Sequence, residues 1–168
     1  MKKGDKYLAF IRSRIEERIQ KTPPITLSEW RAHNGFTQET LASALRVNIY
    51  TVKKWEGGDR EPIGFLGLAL SAVIDKIQPT KIDNSKTEYS LAEWRKRRQF
   101  TQEALAAALN VNVNTVKKWE GGTRNSIDFL GLALSAIDAN LVPVGIRFER
   151  RLSQKNNNDD VPPAPNSI

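Results

Sequence analysis

The sequence predicts an all-α protein built from two tandem copies of one small helical domain, preceded by an amphipathic helix and followed by a disordered tail. The first observation is internal similarity: with a shift of 64 residues, Leu27 to Ile77 aligns without a gap on Leu91 to Leu141, and about 32 of the 51 pairs are identical. The second is that apolar residues in each copy recur at helical spacing. A repeat of about 50 residues is a small domain, since solenoid repeats are shorter and need three or more copies to bury a core.

Composition narrows the class of protein and of partner. The 168 residues include 26 lysines and arginines against 19 acidic residues, a net charge of +7, which favours polyanionic partners. The sequence has no cysteine, which excludes disulfides and thiolate metal sites. No apolar run reaches the length of a signal-peptide core or the ~20 residues of a membrane span. We therefore expect a cytoplasmic protein without a membrane partner.

Composition shifts divide the chain into five parts. These are an amphipathic helical arm (1–25), a first domain (26–77), a linker (78–89), a second domain (90–141) and a mostly disordered C-terminal tail (142–168). The arm has an apolar face between Asp5 and Gln20, which suits packing onto the first repeat, a homodimer contact or another protein. The tail is polar except for a short strand-like alternation at Val144, Ile146 and Phe148.

The second copy shows the helices of one repeat. Ser90, Thr101 and Asn112 each precede a helical pattern and can cap it, and Gly121-Gly122 ends the third helix. The apolar segment from Ile127 to Ala136 is long enough for a fourth. Two helices joined by a turn of three or four residues form a helix-turn-helix unit.

Spaced motifs recur in both copies and carry a family resemblance. The first copy has Thr37-Gln38-Glu39, Leu41-Ala42, Val52 and Trp55-Glu56-Gly57, and the second has Thr101-Gln102-Glu103, Leu105-Ala106, Val116 and Trp119-Glu120-Gly121. Both copies thereby resemble the Cro/repressor-type (XRE family) helix-turn-helix, the lambda repressor-like fold. The resemblance implies a sequence-specific double-stranded DNA-binding transcriptional regulator, bacterial or phage-encoded and nucleoid-associated, of a kind that most often acts as a repressor.

The resemblance also implies roles for individual residues. The helix after the turn enters the major groove, while the preceding helix start and nearby basic residues hold phosphates. The implied base-reading residues are Asn48, Ile49, Tyr50, Lys54, Asn112, Val113, Asn114 and Lys118. The implied phosphate contacts are Thr37, Gln38, Lys53, Arg60, Thr101, Gln102, Lys117, Arg124, Arg97 and Arg98. The implied structural ion pairs are Arg31 with Glu56 and Arg95 with Glu120.

The two copies differ where DNA would be read. Asn-Ile-Tyr stands at 48–50 and Asn-Val-Asn at 112–114, so the two units should prefer different half-sites. The linker reaches ~40 Å when extended, enough for half-sites ~34–36 Å apart on one DNA face. A single chain can then act as a pseudo-dimer.

Two departures from the family pattern stand mainly in the first copy. The turn position that usually holds glycine is Arg46 in the first copy and Asn110 in the second, and arginine tolerates a left-handed backbone less well. Ala32-His33-Asn34 replaces the basic Lys96-Arg97-Arg98. We expect weaker phosphate attraction from the first copy.

Alternative roles for the same residues carry less weight. Trp55 and Trp119 can stack on bases, but their register with valines favours the core. Glu56 and Glu120 are expected in ion pairs rather than catalysis. His33, the single histidine, is expected on the surface and not in a metal site.

No catalytic arrangement is recognisable, so we expect neither an enzyme nor a cofactor or metal. The competing function is a protein-interaction or antitoxin-like module whose DNA binding is autoregulatory.

Overall fold

The computed structural model describes residues 2–125 and 128–152. Over these residues the fold is all-α with one short parallel strand pair, as the sequence predicts. The helices are α1 (Lys3–Lys21), α2 (Leu27–His33), α3 (Gln38–Leu45), α4 (Ile49–Glu56), α5 (Leu66–Ile74), α6 (Leu91–Arg97), α7 (Gln102–Ala108), α8 (Val113–Glu120) and α9 (Leu130–Asp138), with a 3-10 turn at Thr87–Tyr89. The strands are β1 (Ile25–Thr26) and β2 (Ile146–Arg147). Among the described residues, no helix is both long and apolar enough to cross a membrane.

The predicted caps of the second repeat are confirmed. The side chain of Ser90 accepts the backbone N–H of Glu93, and Thr101 and Asn112 cap α7 and α8 in the same manner. Helix α8 ends with Gly121 as its C-cap. The predicted fourth helix is present as α9, although it begins at Leu130, and Ile127 lies outside the described residues.

The two repeats share one hydrophobic core and do not form two separate domains. Helix α5 of the first repeat packs along α9, its counterpart in the second. Four aromatic rings cross this contact, as the Phe65 and Phe129 centroids lie 5.1 Å apart and each ring meets the tryptophan of the other repeat edge-on, Trp119 at 6.0 Å and Trp55 at 5.9 Å. Mutual burial of these rings fixes one repeat against the other.

Two segments cross between the repeats with equivalent contacts. The first strap, residues 78–84, follows the first repeat and lies on the second, where the Thr80 N–H donates to Gly131 O (3.0 Å) and the Ser135 hydroxyl to Gln78 O (2.8 Å). The second strap, residues 142–151, follows the second repeat and lies on the first, where the Val144 N–H donates to Gly67 O (3.0 Å) and the Ser71 hydroxyl to Val142 O (2.6 Å).

These contacts define the symmetry of the molecule. Each residue that forms a hydrogen bond in the second strap contact lies 64 positions from the equivalent residue in the first. The roles of the two repeats are exchanged between the two contacts. Reciprocal contact between equivalent surfaces is the mark of a two-fold rotation. The chain therefore has an internal pseudo-two-fold axis that runs between Phe65 and Phe129.

Residues 78–89, predicted as a polar linker, are fastened to the second repeat in the structure. Beyond the strap contacts, the Asn84 side chain accepts the Leu91 N–H and donates to Trp119 O (3.1 Å), which fastens the segment to the second repeat. Its polar groups satisfy backbone groups of that repeat, so a polar and aperiodic composition did not mean free chain.

The tail is ordered where the structure describes it. The alternation at Val144, Ile146 and Phe148 predicted a strand, and β2 pairs in parallel with β1 at that place. The Arg151 N–H donates to Gly58 O (3.0 Å) at the end of the second strap. Residues 153–168, the remainder of the predicted disordered tail, lie outside the described residues.

The N-terminal arm forms a helix slightly longer than predicted and packs within the chain. Tyr7 and Ile11 are buried, and α1 lies against α7 of the second repeat rather than on the first repeat. The Tyr7 and Phe100 rings are 6.1 Å apart. The apolar face of the arm thus completes the core of the second repeat.

Candidate nucleic-acid interface

The helix that follows each turn, α4 or α8, packs on the core through its apolar side. In α4, Val52 is fully buried and Trp55 is 7% exposed, and in α8 both Val116 and Trp119 are fully buried. This confirms the predicted core role of the two tryptophans over base stacking. The opposite faces of α4 and α8 are left to solvent.

A buried polar network holds each of these helices from behind. The Arg31 guanidinium lies 2.6 Å from Glu56 Oε1 and also donates to Phe36 O, and the Gln38 amide donates to Glu56 Oε2 (2.7 Å). Bonding to Glu56, which is 8% exposed, raises the pKa of Arg31. The second repeat has the same network with Arg95, Phe100, Gln102 and Glu120. The structure thus brings both predicted ion pairs together.

The predicted reading residues fall into an exposed and a half-buried set. Tyr50 is 67% exposed, and the Lys53 ammonium lies 5.4 Å from its ring centroid. Ile49 and Val113 are half-buried at the start of their helices. Asn114, Lys54 and Lys118 are exposed. The exposed ends of α4 and α8 therefore present side chains that differ between the repeats.

Asn48 and Asn112 serve the protein itself. Each accepts a backbone N–H from the residue two positions on, Tyr50 or Asn114, at 2.8 Å. This N-cap occupies the side-chain oxygen and leaves the amide N–H groups exposed. Their identity in the two copies agrees with a capping role, whereas the residues after them vary.

The predicted phosphate contacts of the threonines and glutamines lie at the start of α3 and α7, those of the lysines lie within α4 and α8, and those of Arg60 and Arg124 follow these two helices. Thr37 and Thr101 are N-caps, and Gln38 and Gln102 each use one amide N–H on a glutamate. Lys53, Lys117, Arg60 and Arg124 are exposed. Arg60 and Arg124 come from different repeats yet line one cleft of about 470 Å³ with Asn48 and Thr51.

Carboxylates occupy the first turns of α3 and α7. The backbone N–H of Glu39 and the Thr37 hydroxyl hold the pKa of the Glu39 carboxyl below its usual range, and the backbone N–H of Glu103 does the same for Glu103. These acids use part of the donor capacity at the helix start. A phosphate at this position has to share the amides with them.

Arg97 and Arg98 both have partners inside the second repeat. Arg97 pairs with Glu93 at 2.9 Å on the surface, whereas Arg98 pairs with Asp138 of α9 and lies over the Trp94 ring. Arg98 thus ties the end of α6 to the last helix. His33, at the equivalent of Arg97, is exposed as predicted, with its Nδ1 2.7 Å from Glu29 O.

Sequence reasoning missed the two straps. The signal was available, because Pro79 with Pro143 and Ile82 with Ile146 keep the 64-residue register beyond the aligned repeat. The similarity between the segments is otherwise too low to stand out. Ser71 and Ser135, buried polar residues in apolar helices, were a second signal, since such hydroxyls need partners.

Comparison with known families identifies the second repeat. Residues 91–136 match the family model HTH_3, described as helix-turn-helix. The second repeat is similar to helix-turn-helix domains from the first residue of α6 to near the end of α9. No curated protein and no solved structure matches the chain.

Proposed function

We propose that this chain is a sequence-specific double-stranded DNA-binding transcriptional regulator in which both repeats read DNA. The observation that carries the proposal is the internal two-fold relationship between the matched helix-turn-helix domain and a first repeat with the same buried mount. Because α4 and α8 are held by equivalent buried residues, they expose equivalent faces. The chain then contains within itself the pair of reading helices that other such proteins obtain by dimerisation.

The symmetry supports a particular arrangement of the operator. A two-fold axis between reading units corresponds to half-sites in inverted orientation, since operator palindromy mirrors protein symmetry. The half-sites are unlike, because Ile49-Tyr50 faces one and Val113-Asn114 the other. We therefore propose an imperfect inverted repeat, bound by one chain.

Side-chain chemistry supports the reading roles. The Asn114 amide can form two hydrogen bonds with adenine, lysines at 54 and 118 can donate to guanine, and Ile49 or Val113 can pack on a thymine methyl. Each good base contact discriminates by ~1–3 kcal/mol. Contacts of Arg60 and Arg124 with DNA phosphates position the protein without specifying the base sequence. Bound at a promoter, the protein represses by blocking polymerase access.

Selection from a randomised duplex library, followed by affinity measured against salt, tests the proposal. We expect enrichment of an inverted pair of unlike half-sites and a steep linear fall of log affinity with log salt. A direct repeat would contradict the two-fold arrangement. A perfect palindrome bound by two chains would contradict the single-chain reader, and absence of enrichment would contradict sequence-specific binding altogether.

The competing function is an antitoxin-like module that binds a partner through the N-terminal helix or the C-terminal tail, and the helix has less support in that role. Tyr7 and Ile11, on the apolar face of that helix, are already buried against the second repeat. Releasing α1 to a partner would expose Phe100, which Gly4 and Tyr7 contact. Co-purification of a partner that requires α1 to detach, seen as exposure of Tyr7, would reverse this preference.

A further inference from the structure

We propose that Lys2, Lys3 and Lys6 at the beginning of α1 form a third DNA-contact site, which binds backbone phosphates beside the half-site of the second repeat. The proposal rests on the proposed function and extends it to a segment outside both helix-turn-helix units. Its basis is the position that α1 takes against α7.

The start of α1 lies directly on Phe100, two positions before the first residue of α7. Gly4 is buried, and a Cβ atom added there would lie 2.9 Å from Phe100 Cδ1 and 3.3 Å from Phe100 Cα. Phe100 is followed by Thr101, the N-cap of α7, and by Gln102. These are the residues at which the helix-turn-helix pattern implies a phosphate contact. The lysines that flank Gly4 are therefore neighbours of that contact.

Helices α1 and α7 run in the same direction. Gly4 and Tyr7 meet Phe100 at the start of α7, whereas Ile11 and Ile15, further along α1, line a groove with Ala108 and Asn110 at its end. Both N-termini consequently lie at one end of the pair. The end of α7 that faces phosphate is the end at which the lysines of α1 are placed.

The charge at this end is available for binding. Lys2, Lys3 and Lys6 are exposed, and none forms an ion pair with another described residue. Asp5, between them, offsets one of three positive charges. A lysine side chain is long and flexible, so each ammonium group can move to a phosphate without disturbing the buried contact of Gly4.

Within residues 2–125 and 128–152, the first repeat has no counterpart of this site. Thr40 is exposed, whereas Ala104 at the equivalent position is 8% exposed. The adjacent helix end carries Ala32 where the second repeat has the exposed Lys96. The third site thus makes the second repeat the more strongly anchored half of the molecule.

The test compares two variants of the full chain with the same loss of charge on the same helix. In the first, Lys2→Gln, Lys3→Gln and Lys6→Gln are combined, and in the control, Arg12→Gln, Arg14→Gln and Lys21→Gln are combined, all at exposed positions. Affinity for the selected operator is measured between about 50 and 200 mM salt, where each lost phosphate contact lowers the slope by ~0.9. Phosphate ethylation interference maps the contacts.

We expect the lysine variant to bind about tenfold more weakly at low salt, with a slope lower by about 2. Interference should disappear at phosphates beside the second repeat's half-site and nowhere else. The control should lose less than about threefold and retain all interference. Equal losses in the two variants, or unchanged interference in the lysine variant, overturn the third site while the proposed function stands. Failure of the unaltered chain to select any DNA overturns both.

Discussion

Phe65 and Phe129 occupy the same position in the two repeats, and their rings meet at 5.1 Å on the internal two-fold axis. Each also packs against the reading-helix tryptophan of the opposite repeat. The residues that pack beneath α4 and α8 therefore come partly from the opposite repeat. Stability and the relative placement of the two helices depend on the same four rings.

The shared ring cluster predicts one cooperative unfolding transition. Phe65→Ala should lower the free energy of unfolding by ~3–5 kcal/mol, because it leaves a cavity beside Trp119 and Phe129. Chemical denaturation followed by tryptophan fluorescence measures this, with Phe10→Ala at an exposed position as the control. Two separate transitions, of which only one shifts, would contradict a common core.

The buried network predicts that Glu56 acts through stability. Glu56→Ala leaves the Arg31 guanidinium and the Gln38 amide without their partner, at a cost of ~3 kcal/mol. DNA binding should be lost only where the protein unfolds, and Glu16→Ala on the surface should change neither property. A Glu56→Ala protein with an unchanged melting temperature and no DNA binding would contradict the structural role.

Reading by residues 49–50 predicts a change of operator symmetry. Ile49→Val with Tyr50→Asn makes the first reading helix identical in sequence to the second from Ile49 to Glu56. Library selection with this variant should yield a more symmetric inverted repeat, and the original operator should bind more weakly by ~1–3 kcal/mol for each mismatched pair. An unchanged selected sequence would show that other residues set specificity.

Burial of Tyr7 predicts a loss of stability at alkaline pH. Desolvation raises the pKa of Tyr7 in the folded state above its usual value near 10, so the unfolded chain releases the proton first. This contribution is intact below pH ~10 and falls by about 1.4 kcal/mol per pH unit above it. Denaturant titration from pH 9 to pH 11 should show a shallower decline for Tyr7→Phe than for the parent. Parallel declines would contradict the burial of a neutral phenol.

The left-handed turn residues predict a reciprocal pair of substitutions. Arg46 and Asn110 have φ values of 55° and 51°, and arginine is the less tolerant of the two side chains there. Arg46→Asn should raise the free energy of unfolding by ~0.5–1 kcal/mol, and Asn110→Arg should lower it by a similar amount. Thermal melts measure both. Shifts of the same sign would mean that contacts of these side chains outweigh the backbone preference.

Local features of the fold could be predicted because they depend on neighbours in sequence. The caps at Ser90, Thr101 and Asn112 and the apolar register of the helices require only the residues within a turn or two. The pairing of Arg31 with Glu56 came from the family pattern, since 25 residues separate the two.

The relationship between the repeats could not be predicted in the same way. It arises from contacts such as Ser71 with Val142, across 71 residues, in a segment whose composition suggested free chain. The arm presented the same difficulty, because its apolar face is compatible with several partners. Only the folded chain shows that this face packs on the second repeat, where Tyr7 meets Phe100.

On the proposed function, the internal two-fold axis changes how occupancy depends on copy number. A regulator that must first associate with a second copy loses active species in proportion to the square of its concentration when it is scarce. Here Phe65 packs on Phe129 of the same chain, so this contact does not depend on protein concentration. Operator occupancy should then rise in simple proportion to the number of molecules in the cell at low expression, a graded response rather than a threshold.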